Sequence, residues 1–196
     1  MASQLAVEPR TPLLAIDKIA RKALMPYRRS ASIRVISKLS ELGDQPQLRM
    51  LSGGMIALGL LRADGHMVRA GAHMLVAHEL ATFVKNFVKL RVDRKRPRSA
   101  SSNEQQEPRP GRSKRKEDTS FPSGHSAGSM AVALAYSHSF PEHRTSALAI
   151  ASGVGVAQVP RCAHYPTDVA AGMVIGATSE GALRLAGRAV RAMLRR

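Results

Sequence analysis

Three stretches, Gly124 to Phe140, Ser146 to Val159 and Val169 to Thr178 extending to Leu183, with no formal charge but Glu180 in that extension, constrain the fold of this chain more than any other feature. Each is built largely from the smallest residues, as in Ala127-Gly-Ser129, Ala151-Ser-Gly-Val-Gly155 and Ala170-Ala-Gly172. Runs of this kind let helix backbones approach closely, the mode by which helices associate in lipid. No segment alternates with period two for long enough to build a sheet, and nothing repeats at a fixed period. The fold class expected is therefore all-α, a helical bundle. Each stretch is near or below the roughly 20 apolar residues of a membrane span. A membrane-embedded bundle is the reading adopted, its five core helices beginning at Met50, Ala70, Gly124, Ser146 and Pro166. A soluble bundle with a small-residue core is the alternative.

Ahead of that bundle, residues 1–47 read as a basic amphipathic arm. One helix is expected around Ile16 to Leu24 and another around Ile33 to Leu42, with Lys18, Arg21 and Lys22 meeting anionic headgroups or, equally, packing as a solvated face. Met1 to Arg10 holds Glu8 and lacks a basic-then-apolar pattern, so no cleaved export peptide is expected. The bundle proper is assigned to residues 48–196. In its second helix, Ala70 to Leu90, His78 reads as a core histidine. Residues 98–121 turn abruptly to Ser, Gln, Glu, Pro, Arg and Lys, which predicts a disordered basic loop.

The formal charge of +16 requires an anionic partner: nucleic acid, anionic lipid or a phosphorylated substrate. Aromatic residues are only 4% and tryptophan is absent, which weakens base stacking as a binding mode. The run Arg112-Ser-Lys-Arg-Lys116 is taken as solvated, and no specific nucleic acid is expected. Cys162 is the sole cysteine, so neither an intrachain disulfide nor a cysteine zinc site can form. The sequence sets no oligomeric state.

Chemistry concentrates in three strings. In Thr119-Ser-Phe-Pro-Ser-Gly-His-Ser126, Ser123 reads as an N-cap and Gly124 lets backbone come close to a ligand, so the helix mouth suits a phosphate. His125 would stand beside that anion with a proton to give. Upstream, Lys89 and Arg96-Pro97 can supply fixed cations, although alone they belong to a solvated basic run with Arg91, Arg94, Lys95 and Arg98. Downstream, His164-Tyr-Pro-Thr-Asp168 offers an imidazole and a carboxylate, with Pro166 opening a helix that puts Asp168 in its first turn. A neutral imidazole whose other nitrogen is held can attack phosphorus in line, while cations and N–H donors stabilise the equatorial oxygens.

Taken in this order, the three strings resemble the type 2 phosphatidic-acid phosphatase superfamily, which includes lipid phosphate phosphatases, bacterial acid phosphatases and vanadium haloperoxidases. The similarity covers about residues 70 to 185. It implies an all-helical bundle in which the strings converge on one phosphate site. By resemblance His164 becomes a transient phosphohistidine, Asp168 orients it and His125 protonates the leaving group. Lys89, Arg96, Ser123 and Gly124 bind the phosphate. No cofactor and no metal are implied. The expected function is metal-independent hydrolysis of a lipid-linked phosphate monoester or pyrophosphate at a bacterial inner membrane, with the phosphorylated lipid and an anionic membrane surface as partners.

One position departs from the pattern. The superfamily's third motif carries Arg six residues before the nucleophilic His, and here that place holds Gln158. Losing a charge-assisted contact costs about 1.5–3 kcal/mol, hence roughly ten- to a hundredfold in rate if the contact acts in the transition state. Arg161 is the candidate substitute. A lipid-phosphate-binding protein weakened by Gln158 is therefore the alternative function, with vanadium-dependent halide oxidation behind it. Weight of Lys and Arg places the motif loops in the cytoplasm, against the outer-face location expected for relatives acting on lipid pyrophosphates.

Overall fold

A computed structural model describes residues 12–101 and 106–195. The expectations for Met1 to Arg10 and for positions 102–105 lie outside the described residues.

Seven α-helices carry the described chain: α1 (Pro12–Leu24), α2 (Ala31–Ser40), α3 (Gln45–Leu61), α4 (Gly65–Lys89), α5 (Gly124–Ser139), α6 (Arg144–Val156) and α7 (Pro166–Met193). Helix starts follow local chemistry. The Ser30 and Asp64 side chains accept from first-turn amides of α2 and α4, and Pro166 occupies the first turn of α7. Two-residue strands β1 (Val92–Asp93) and β2 (Arg109–Pro110) pair antiparallel between α4 and α5.

Helices α4, α5 and α7 form the centre, with α3 laid on α4 and α6 on α5. The core is alanine-rich: Ala77, Ala81, Ala131 and Ala135 pack with Leu48, Met74 and Val132. Small residues earn their places unequally. A Cβ on Gly176 would collide with the Ala127 carbonyl, and one on Gly172 with the Ser123 carbonyl, so α5 and α7 touch backbone to backbone. Gly155 is hemmed in by Met173 and Ser126, whereas Gly153 faces open space. His78 is buried in this core.

The expected spans are not seen as such, because no described helix is long and apolar enough to cross a membrane. Helices α4 and α7 have the length, at 25 and 28 residues, but carry charged side chains; α5 is uncharged but only 16 residues long, and α6, charged only at Arg144, only 13. Large apolar side chains nevertheless face outward along the bundle, among them Leu61, Val76, Phe83, Phe87, Ile150 and Val174.

The N-terminal helices and the basic loop differ from expectation in how they are held. Ile16 and Ile19 on α1 are exposed as an amphipathic surface helix would have them, but Arg21 turns inward to donate to the Pro97 carbonyl at 2.9 Å. The described part of the loop runs back along β1: Arg94 N donates to the Asp118 carbonyl and Arg96 N to that of Glu117. Backbone pairing, rather than apolar content, ties this polar segment down.

Candidate active site

The C-terminus of α4, the N-termini of α5 and α7 and the loop after α6 meet at one end of the bundle, beside the 3-10 turn Glu41–Gly43. They enclose a cavity of about 400 Å³ whose lining includes Lys89, Arg96, Gly124, His125, Gln158, Arg161 and His164. Seven of the nine sequence-predicted site residues thus face one space. Asp168 lies behind His164, fully buried. Ser123 is the expected N-cap of α5, and its side chain is not part of the cavity lining. Its hydroxyl is turned to Ser126, accepting from that residue's N at 3.4 Å and Oγ at 2.8 Å, because an N-cap oxygen points at first-turn amides.

His164 follows α6 through a tight turn in which Cys162 takes a left-handed φ of 50°, a conformation that costs a non-glycine residue about 1 kcal/mol or more. Its Nδ1 donates to the Ser120 carbonyl at 2.7 Å, whereas Asp168 Oδ2 is 3.7 Å away, too far for a hydrogen bond. The proton is therefore fixed on Nδ1, and Nε2 carries a lone pair toward the cavity, 3.5 Å from Arg96 Nη1. Burial pushes the imidazole down to about 4, outweighing the nearby Asp168 carboxylate, so His164 is neutral at pH 7.

Asp168 acts as the hub behind it. Oδ2 accepts from Ser120 Oγ at 2.5 Å and from Tyr165 N at 2.9 Å, the second bond closing the start of α7; Oδ1 accepts from Arg94 Nη1 at 2.5 Å. Burial alone would raise this carboxyl, but His164, Arg94 and Ser120 together hold it well below the usual carboxylate range. Ser120 thus bridges the pair, its carbonyl on His164 and its hydroxyl on Asp168.

Cations surround the cavity. Arg96 is held by the Lys116 and Ala163 carbonyls, and Lys89 Nζ donates to the Thr119 carbonyl at 2.9 Å. Burial and the neighbouring Arg96 push Lys89 down to about 7. Burial likewise lowers Arg96, to about 10, where it remains charged. Lys85, one turn before Lys89, joins the lining under Gly124, where a Cβ would come 3.3 Å from the Lys85 side chain. Gln158 is spent on structure: Nε2 donates to the Val154 carbonyl and Oε1 accepts from Arg161 Nη1 at 3.3 Å. Arg161 itself lines the cavity and also donates to Ser40 Oγ at 2.6 Å. Opposite, Asp44 Oδ1 is 2.9 Å from His125 Nε2.

Lys85, Ser120, Arg94, Asp44 and Asp17 were not singled out by sequence reasoning. Lys85 carries a signal, since it shares a helix face with Lys89 four residues on. Ser120 adjoins a motif, and Arg94 was hidden among its basic neighbours. Among the described residues no group of three or more His, Cys, Asp or Glu could hold a metal ion. An apolar groove of about 640 Å³, lined by Leu42, Leu48, Leu51, Met55, Ile150 and Val154 among others, meets the site cavity at Gly43.

The family model described as the PAP2 superfamily matches residues 70–189. Over 58 residues, 30% of this chain and 24% of the relative, the sequence is 45% identical to a lipid A 1-phosphatase of Rhizobium johnstonii. A lipid A 1-phosphatase of Rhizobium etli is 44% identical over 57 residues, 29% of this chain and 25% of the relative. The match thus spans about a quarter of the length of these curated relatives. The fold is similar to the crystal structure of a transmembrane PAP2-type phosphatidylglycerolphosphate phosphatase from Bacillus subtilis, with a TM-score of 0.65 and 21% identity over 92% of this chain and 89% of that one.

Proposed function

The chain belongs to the PAP2 superfamily, and from that premise we propose that it is a membrane-bound phosphatase hydrolysing a lipid-linked phosphate monoester or pyrophosphate through a phosphohistidine. The observation that carries this activity is the neutral His164 with Nδ1 bound to the Ser120 carbonyl and Nε2 turned to a cation-lined cavity. An imidazole so held attacks phosphorus without first losing a proton. Lys89, Arg96 and Arg161 neutralise the equatorial oxygens, with the first-turn amides of α5 as further donors.

As the Nε2–P bond forms, the bond from phosphorus to the leaving oxygen breaks, and that oxygen takes its proton from His125. Burial lowers His125, and Asp44, 2.9 Å from its Nε2, opposes this, so the carboxylate favours the protonated ring that donation requires. Water then attacks the phosphohistidine, giving a proton back to His125, and the P–N electron pair returns to His164. Asp168, held by Arg94, Ser120 and Tyr165, balances the positive charge that develops on the imidazole. Arg161 takes over the role of the cation missing at position 158.

A lipid substrate is favoured over a soluble one by the apolar groove that opens beside the site, wide enough for hydrocarbon, and by the outward-facing apolar side chains of the bundle. The similar Rhizobium proteins are lipid A 1-phosphatases and the similar Bacillus protein is a phosphatidylglycerolphosphate phosphatase, all directed at lipid phosphates. The test is phosphate release by detergent-solubilised protein across isoprenoid and glycerolipid phosphates. Release that persists in chelator and disappears in His164→Ala is expected. Tight lipid-phosphate or vanadate binding with no release from any substrate would instead make this a binding protein.

A further inference from the structure

A second ionic assembly lies behind the site, in which Arg94, between Lys89 and Arg96, joins the third string to Asp17, far from any motif. Arg94 is 2% exposed, and its guanidinium joins two carboxylates: Nη1 donates to Asp168 Oδ1 and Nη2 to Asp17 Oδ2, each at 2.5 Å. Its remaining groups are also engaged, Nε with the Gln106 carbonyl at 2.8 Å and the flat face over the Tyr165 ring at 4.0 Å. Asp17, on α1, is 1% exposed. Its Oδ1 accepts from Thr167 N at 3.1 Å and its Oδ2 from Thr167 Oγ1 at 2.5 Å, so it grips the first turn of α7 beside Asp168.

Burying three charges is costly unless every donor and acceptor is met, and hydrophobic replacement of such assemblies often stabilises a fold. Here the arms of the assembly, apart from the Arg94 Nε bond to the Gln106 carbonyl, lead to Asp168 or to the turn that carries it. Resting on the phosphatase reading of the His164 site, we infer that Asp17 and Arg94 are positioning residues for its Asp168–His164 pair, which makes the N-terminal helix α1 a working part of the catalytic centre.

The electrostatics give each residue a distinct task. Arg94 fixes Asp168 so that Ser120 stays in register with both the carboxylate and the His164 ring. Asp17 shares the Arg94 charge, leaving Asp168 negative enough to support the cationic imidazole formed as phosphorus is attacked. Without the Asp17 charge, Arg94 neutralises Asp168 alone. His164 then faces the Arg96 and Lys89 cations with less compensation, and its affinity for positive charge falls.

The test uses the full chain with Asp17→Asn, Arg94→Lys and Arg94→Gln, and with Arg21→Gln as a control that loosens α1 through its bond to the Pro97 carbonyl. Asp17→Asn is expected to lower kcat at least tenfold with KM little changed and to move the acid limb of the pH profile downward. Arg94→Lys should retain more activity than Arg94→Gln. Arg21→Gln should lower Tm without moving that limb. A readout independent of turnover is the NMR titration of labelled His164, which should fall in Asp17→Asn relative to wild type. An unmoved His164 titration, or Asp17→Asn behaving like Arg21→Gln, overturns the inference. Absence of phosphate release in the wild type counts against the proposed activity instead, and the titration still decides the role of Asp17.

Discussion

At the residue scale, Gln158 and Arg161 give the sharpest test of how this site departs from its family. If Arg161 supplies the missing cation, Arg161→Gln lowers kcat/KM by roughly ten- to a hundredfold, the worth of one charge-assisted contact. Gln158→Arg in that background restores part of the loss; no loss in Arg161→Gln would show that the cation is dispensable. The titration of the free enzyme gives a second prediction. His164 must be neutral and His125 protonated, and burial lowers both below the ordinary imidazole value, so kcat/KM should fall below about pH 4 and, on the alkaline side, already before Lys89 at about 7 loses its charge. His125→Gln should remove the alkaline limb, and a limb that survives it, or that moves upward in Lys89→Arg, would assign it elsewhere. The cavity lining was legible where chemistry is local in sequence, as at Lys89, His125 and His164. Asp17 and Arg94 were not legible, because their contacts join positions 77 and 150 residues apart and each in isolation looks like surface charge.

At the scale of elements, the small-residue stripes read from the sequence do bring helices together, but through particular glycines. Gly176 is the cleanest case, pressed on the α5 backbone well away from the cavity. Gly176→Ala should destabilise the bundle by about 1–3 kcal/mol, the cost of overpacking, and lower Tm by several degrees without altering the pH profile. Gly153→Ala should be harmless or stabilising, since nothing lies within 4 Å of its added methyl group. Calorimetry on the two variants checks both. Helix order was legible, and the starts of α5 and α7 from Ser123 and Pro166, but α3 and α4 begin at Gln45 and Gly65, ahead of the expected Met50 and Ala70, where Pro46 and the Asp64 cap start them. The docking of α1 was not legible: its periodicity shows an apolar face, but the buried Asp17 that anchors it lies among ordinary polar positions.

For the whole molecule, Lys89, Arg96, Arg98, Lys116 and Arg161 gather about the site cavity, so a phosphorylated lipid meets cations on approach and an apolar groove beside them. Stability should follow the buried imidazole. His164 binds a proton near pH 6.5 when unfolded and only near about 4 when folded, so the unfolded chain holds more protons in between. Stability therefore declines as pH falls through that window, and His164→Gln should flatten the slope in denaturant titrations. Bundle and converging site were foreseeable from the order of three strings. Spans were not, since apolar length and helix length part company here: the long helices are charged, and α5 and α6, with no charge beyond Arg144, are short. The most direct measurement is to quench turnover of a lipid phosphate labelled with radioactive phosphorus and map the protein-bound label. A base-stable, acid-labile phosphoryl group on the peptide containing His164, formed in chelator and absent from His164→Ala, is the expected result. Phosphate release with label on another residue, or release that His164→Ala leaves intact, would contradict it.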